Sequence, residues 1–272
     1  MSDNPLGGHT SYPKKYAPEV LYPIPRWPAR SLLDIDKKIR MYGIDHWRAY
    51  ELSWLDTTGK PQVAAAEFFF NSESENLVES KSFKLYLNSI NNEQFPDSEA
   101  VAEALQKDLS ALSKSEIKVV IRCLEAAGDE VDFTRRGINL DVLDLQTRRD
   151  MPDESILQTG EGEAEDEIVY SDLFKSNCPV TGQPDWASVE VRYSGRQIDH
   201  ASLLSYLISF RNHQAYHEEC AERVFRDITN RCEPTELWVG MNYLRRGGLD
   251  INVYRSTVPL TSDMVSARLV RQ

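Results

Sequence analysis

The stretch EIVYSDLFKSNCPVTGQPDWASVEVRY, from Glu167 to Tyr193, reads as two strands around a loop. EIVYSDLF and ASVEVRY are rich in β-branched and aromatic residues and alternate apolar with polar positions. Two prolines and a glycine mark the loop between them. Downstream, Leu203, Leu204, Leu207 and Phe210 recur at helical spacing, as do Ala221, Val224, Phe225 and Ile228. ELWVGMNYL and LDINVYR then close the chain as a hairpin. Upstream, the same order appears once before. WRAYELSW and PQVAAAEFFF read as strands joined at the TTGK turn. Phe83, Leu87 and Ile90 mark one helical stripe, and Val101, Ala104, Leu105, Leu109 and Leu112 another. IKVVIRCL and INLDVLDL follow as strands. Matching elements lie roughly 120 residues apart, which points to an internal duplication. Neither half alternates strand and helix as a doubly wound fold does, so the fold class is α+β with largely antiparallel sheets.

This pattern divides the chain into an arm (1–44), a first module (45–147), an acidic linker (148–167) and a second module (168–272). The first thirty residues hold six of the thirteen prolines, so the arm is expected to be extended. The linker ends GEGEAEDE and reads as a solvated loop. With 272 residues, 41% of them hydrophobic, the chain can bury a substantial core. No apolar run approaches the ~20 residues of a membrane helix, and the N-terminus lacks a signal-peptide pattern. A soluble, cytoplasmic protein with no membrane partner is expected. A net charge of -12 disfavours direct contact with nucleic acid. The four cysteines, Cys123, Cys178, Cys220 and Cys232, form no CxxC pair, so zinc ribbons and thioredoxin motifs are excluded. Neither GxGxxG after a strand nor GxxxxGK[ST] occurs.

Four stretches could carry chemistry. Cys123 and Cys232 lie among apolar residues and read as core. Cys178 lies in a loop, where it is either a nucleophile or an incidental thiol. Asp185, seven residues on, could exchange protons with whatever Cys178 attacks. In NHQAYHEEC, His217 shares the apolar stripe of Ala221, Val224 and Ile228, with Glu218 at its margin. A carboxylate there can accept a pair of N–H donors, while His217 also fits a satisfied core histidine. Cys220 is one helical turn from His217, so a metal site fits as well. In LVESKSFKLY, Glu79 precedes a helix, Ser80 fits its N-cap, and Lys81 and Lys84 are one turn apart. Cations at a helix N-terminus suit phosphate, or simply face solvent. In LRRGGLD the glycines supply a turn, and the adjacent arginines are candidates for a cofactor's pyrophosphate or 2′-phosphate.

Together these stretches resemble the QueF-type 7-cyano-7-deazaguanine reductases of queuosine biosynthesis, in their two-module form. ESKSFKLYLNS is similar to the family signature, and SNCPVTGQPDW, HEEC and RRGGLDIN fall in the family's order. The resemblance runs from about Tyr50 to the end of the chain. It implies tandem tunnelling-fold (T-fold) modules, each an antiparallel four-stranded sheet with two helices, and a homodimer. It implies reduction of a nitrile to a primary amine on a small deazapurine, with two NADPH per turnover and no metal. Cys178 matches the nucleophile that forms a covalent thioimide, and Asp185 the proton donor and acceptor. Val78, Glu79, Ser80, His217 and Glu218 match substrate contacts. Ser80, Lys81, Arg246 and Gly247 match NADPH contacts. Tyr216 departs from the family pattern, which has Phe there. A reversible Cys178–Cys220 disulfide is a further expectation. Two other readings remain open: a zinc-dependent cyclohydrolase-like enzyme liganded by Cys178, His217 and Cys220, and a purine or pterin binder without catalysis.

Overall fold

The computed structural model describes residues 12–35, 39–124, 131–132, 135–145 and 149–272. The first half runs β1 (Pro23–Pro25), α1 (Trp27–Leu32), β2 (Tyr42–Leu55), β3 (Pro61–Asn71), β4 (Asn76–Val78), α2 (Ser80–Ser89), α3 (Ser98–Ser113) and β5 (Lys118–Cys123). The second runs β6 (Val131–Asp132), β7 (Ile138–Asn139), β8 (Thr159–Asn177), β9 (Pro184–Ile198), α4 (His200–Ser209), α5 (His217–Cys232), β10 (Glu236–Tyr243), β11 (Leu249–Ser256) and β12 (Arg268–Leu269). The fold is mixed α+β. None of the described helices is long and apolar enough to cross a membrane.

The chain gathers into two compact units. One takes Met1–Pro28, Asp45–Asp129 and Arg245–Asp250, and the other takes Ala29–Ile44, Glu130–Leu244 and Ile251–Gln272. In the first unit the strand order is β5-β3-β2, with β3 and β5 antiparallel. Phe68 and Phe70 of β3 and Trp47 of β2 point inward. Phe68 and Trp47 meet Phe83 of α2, whose ring lies edge-on to Phe68 at 4.9 Å. Val101, Leu105 and Leu109 bury one stripe of α3, as their four-residue spacing requires. In the second unit the order is β11-β10-β9-β8-β7, antiparallel from β11 to β8. There Leu203, Leu204 and Leu207 of α4 pack beside Ala221, Val224, Phe225 and Ile228 of α5, all at most 1% exposed.

Several side-chain contacts occur in both halves of the chain. Tyr86 of α2 donates its hydroxyl to Asp108 of α3 at 2.6 Å, and Tyr206 of α4 does the same to Asp227 of α5 at 2.6 Å. Ser89 and Ser209 donate to the carbonyls of Tyr86 and Tyr206 (2.6 and 2.5 Å). Ser82 and Ser202 donate to the carbonyls of Glu79 and Asp199 (2.7 and 2.8 Å).

Three expectations need correction. The proline-rich arm is not simply extended. It forms a helical turn at Pro18–Val20, the helix α1, and the strand β1, which pairs antiparallel with β4. Proline is tolerated in β1 because an edge position needs no N–H from it. The acidic run at the end of 148–167 is not a solvated loop. It is strand from Thr159 onward, with Glu163 opposite Arg196 and Glu167 opposite Tyr193. INLDVLDL is strand only at Ile138–Asn139, where β7 pairs parallel with β8. The chain then turns at Leu140–Val142 under a cap from the Asn139 side chain. Cys123 ends β5, and its side chain lies outside the described residues.

Candidate active site

In the second unit, the cysteine loop is a tight connection between β8 and β9. The Cys178 N–H donates to the Gln183 carbonyl at 2.8 Å, and the Gly182 N–H donates to the Cys178 carbonyl at 3.0 Å. Gly182 takes φ +69, a conformation that suits glycine. The loop holds Cys178 at 5% exposure, so this thiol is not an incidental surface group. Strand register places Ser176 opposite Asp185 and Ala187 opposite Tyr243. Residues two apart on a strand share a face. Ser176, Asp185, Ala187 and Tyr243 therefore line one side of the sheet.

Helix α5 begins at His217, and the Tyr216 N–H donates to the Glu219 carboxylate at 3.1 Å. The His217 Nε2 stands 3.5 Å from the Asp185 Oδ2. The face of its ring stacks on Tyr243, with centroids 3.9 Å apart and planes 27° apart. Glu218, in the first turn, is 5% exposed. Cys220 is fully buried against Ser176 and Tyr243, and burial pushes its thiol up to about 12. Both Cys178 and Cys220 are free thiols. Lys175 donates its Nζ to the Asn177 side chain and to the Arg211 carbonyl, both at 2.7 Å. The second unit thus holds a buried thiol in the loop between β8 and β9, and a buried carboxylate beside an imidazole.

In the first unit, Glu79 rather than Ser80 is the N-cap of α2. Its carboxylate accepts the N–H groups of Lys81 (2.9 Å) and Ser82 (2.7 Å). Ser80 is the first helical residue. A carboxylate on those amides leaves phosphate recognition at this end to side chains. Glu79 is 1% exposed, and burial raises its carboxyl pKa despite those two bonds. Lys84 is paired with Glu51. Val78, in β4, is 5% exposed. Arg246 and Leu249 exchange backbone hydrogen bonds (2.8 and 3.0 Å) around Gly247 and Gly248, whose φ values are +58 and +78. The turn demands both glycines. Arg246 and Gly247 are exposed, whereas Arg245 lies 3.8 Å over the Tyr50 ring.

Two family models match the sequence. The nitrile reductase 7-cyano-7-deazaguanine-reductase N-terminal model covers residues 12–121, and the QueF-like protein model covers residues 184–260. A curated NADPH-dependent 7-cyano-7-deazaguanine reductase of Coxiella burnetii is 50% identical over 94% of this chain and 92% of its own length. The chain belongs to the 7-cyano-7-deazaguanine reductase family. The Bordetella pertussis reductase is 47% identical over 94% of both chains. Among solved structures, the archaeosine synthase QueF-Like in its apo form aligns at a TM-score of 0.30 and 22% identity. That alignment covers 34% of this chain and 92% of the other.

For a member of this reductase family, the zinc-ligand reading has no geometric support. Among the described residues, no three His, Cys, Asp or Glu side chains converge as a metal site. Tyr243 and Lys175 are site neighbours that the sequence did not single out. An aromatic residue within an apolar strand carries no signal distinct from the core.

Proposed function

We propose that the chain is an NADPH-dependent 7-cyano-7-deazaguanine reductase, converting the nitrile of a deazapurine to a primary amine in queuosine biosynthesis. The match at 50% identity along 94% of the chain carries this reading. The Cys178 thiolate adds to the nitrile carbon, and a proton reaches the nitrile nitrogen from Asp185, giving a thioimide. NADPH, when bound, supplies one hydride to that carbon and, in a second round, another. After the first hydride, Cys178 leaves the thiohemiaminal carbon as the imine forms, and the thiol is regenerated for the next turnover. Asp185 is suited to proton traffic because it is buried and stands 3.5 Å from an imidazole. Glu218 accepts the N–H edge of the deazaguanine, with His217 beside it. Val78, Glu79 and Ser80 contribute further substrate contacts. Lys81 and Arg246, with the Ser80 hydroxyl and the Gly247 backbone, suit the phosphates of NADPH: a Cβ built at Gly247 meets nothing within 4 Å. In this reading the chain is built of two tunnelling-fold modules and works as a homodimer in the cytoplasm.

The test is direct. Mixed with 7-cyano-7-deazaguanine, the protein should gain the mass of the nitrile, and Cys178→Ala should not. NADPH oxidation should require the nitrile. No adduct together with no oxidation would refute the reading.

A further inference from the structure

Tyr243 belongs to no motif, yet more of the site rests on it than on any other unassigned side chain. Its ring covers the face of His217 at 3.9 Å. Its hydroxyl donates to the His217 carbonyl at 3.4 Å, so ring and backbone of the same residue are both engaged. The tyrosine is itself immobilised. Phe174 meets it edge-on at 6.3 Å and 88°, and Ala187 pairs opposite it in the sheet. The Gln272 side chain donates to its carbonyl at 3.1 Å, and the next residue, Leu244, donates its N–H to Trp186 at 2.9 Å. Tyr243 is 1% exposed.

The His217 Nε2 lies off the Cβ–Cγ axis, so rotation about that bond swings it away from Asp185. At 3.5 Å from Oδ2 the nitrogen is at the edge of hydrogen-bond range, where orientation decides whether the two groups interact. A flat ring fixed against one imidazole face removes that rotation. Burial, with Cys220, Asp185 and Glu218 nearby, raises the phenol well above an ordinary tyrosine, so it holds its own proton.

We propose that Tyr243 is a positioning residue for proton transfer: its ring fixes the His217 imidazole in the plane from which Nε2 faces the Asp185 carboxylate. This rests on the reading of Asp185 as the proton donor to the nitrile.

Three full-chain variants test it. Tyr243→Leu and Tyr243→Met remove the flat face, methionine while filling the space. Tyr243→Phe keeps the face and loses only the hydroxyl. Thioimide formation at saturating nitrile should slow about tenfold in the Leu and Met variants and stay within about threefold in Phe. Nitrile affinity, measured in a Cys178→Ala background, should stay within about threefold in all of them. By NMR, the His217 ring protons should lie upfield in the parent and in Tyr243→Phe, and move downfield in Leu and Met. Parental adduct rates in Leu or Met, a loss confined to affinity, or unshifted His217 protons in the parent would each overturn the proposal. If Leu fails to fold, the Met variant and the parental NMR shift still decide. If the parent forms no adduct, the reductase reading itself fails, an outcome distinct from a normal parent with unaffected variants.

Discussion

Glu222 lies on α5 one turn beyond Glu218 and joins two guanidinium groups within the second unit. Arg30 donates its Nε to Oε2 at 3.0 Å and its Nη2 to Oε1 at 2.7 Å. Arg255 donates its Nε and Nη2 to Oε1 at 3.1 and 2.8 Å. Side-chain exposure is 0% for Arg255, 4% for Glu222 and 13% for Arg30. Gly43 crosses this cluster so closely that a Cβ would sit 2.7 Å from the Arg255 Cδ. Glu222→Gln keeps the shape and removes the charge. Its amide oxygen can still serve one guanidinium, but its N–H groups then face the other, donor against donor. Removing one partner of a buried pair costs about 3–5 kcal/mol, because the remaining charge stays buried. Since one acceptor survives, the expected loss is about 3 kcal/mol. Arg30→Leu leaves the Glu222–Arg255 pair intact and should cost about 1–2 kcal/mol. Urea unfolding at neutral pH, followed by tryptophan fluorescence, gives both losses by linear extrapolation. A Glu222→Gln loss under about 1 kcal/mol, or a larger loss for Arg30→Leu, would refute the reasoning.

Asp185→Asn should slow adduct formation by about 10²–10⁴-fold and leave nitrile affinity largely intact. Full adduct rates in that variant would remove Asp185 from the proton path. In the first unit, burial acts to raise the Glu67 carboxyl, but His46 (2.8 Å) and Arg122 (2.7 Å) outweigh it and hold the group at about 2, against 4.5 ordinarily. A folded-state pKa below the unfolded value gives stability that is full above 4.5 and lost as pH falls toward 2. Glu67→Gln should therefore lower the melting temperature near neutrality and flatten its decline across that window; curves parallel to the parent would contradict the assignment. Gly248→Ala should destabilise more than Gly247→Ala in thermal melts. Both force alanine into left-handed backbone, at about 1–2 kcal/mol, but only at Gly248 does the new Cβ meet a neighbour, the Glu51 Cδ at 2.6 Å. The reverse order would count against the turn geometry.

Much of this was readable from spacing. The helical stripes at Leu203–Phe210 and Ala221–Ile228 followed from apolar periodicity, because burial on one face leaves a period in the residues themselves. Cys178 was visible as a thiol among loop formers. The pairing of Asp185 was not, because cross-strand register brings it opposite Ser176, and register is a property of pairing. The strand at Thr159–Glu167 was hidden because most of its side chains are exposed or half-buried, which erases the two-residue alternation. The arm misled for a local reason. Proline density predicts loss of regular structure, but an edge strand of three residues does not need the missing donors. Arg30 was invisible as a partner of Glu222, since nothing in the sequence marks a contact across so many residues.

Contacts that occur in both halves allow the helix scaffold to be compared within one chain. Ser82, Tyr86 and Ser89 of α2 repeat as Ser202, Tyr206 and Ser209 of α4, with the same hydrogen bonds, and Asp108 repeats as Asp227. These residues hold a helix pair in place whether or not chemistry occurs beside it. The positions that differ are the informative ones. Where α2 begins Ser80-Lys81, α4 begins His200-Ala201, with the His200 Nε2 3.0 Å from the Glu167 carboxylate. The dipole at a helix start disfavours a cation, and Lys81 is offset by the buried Glu79 carboxylate, whose charged form it favours. The first turns of α3 and α5 differ in the opposite direction. Glu99 is exposed in α3, and Glu218 is 5% exposed in α5, next to a histidine stacked on Tyr243. Burying that carboxylate costs stability unless a donor meets it. The two halves therefore differ at the starts of these helices, the first by a lysine beside a buried glutamate and the second by a buried glutamate beside a stacked histidine.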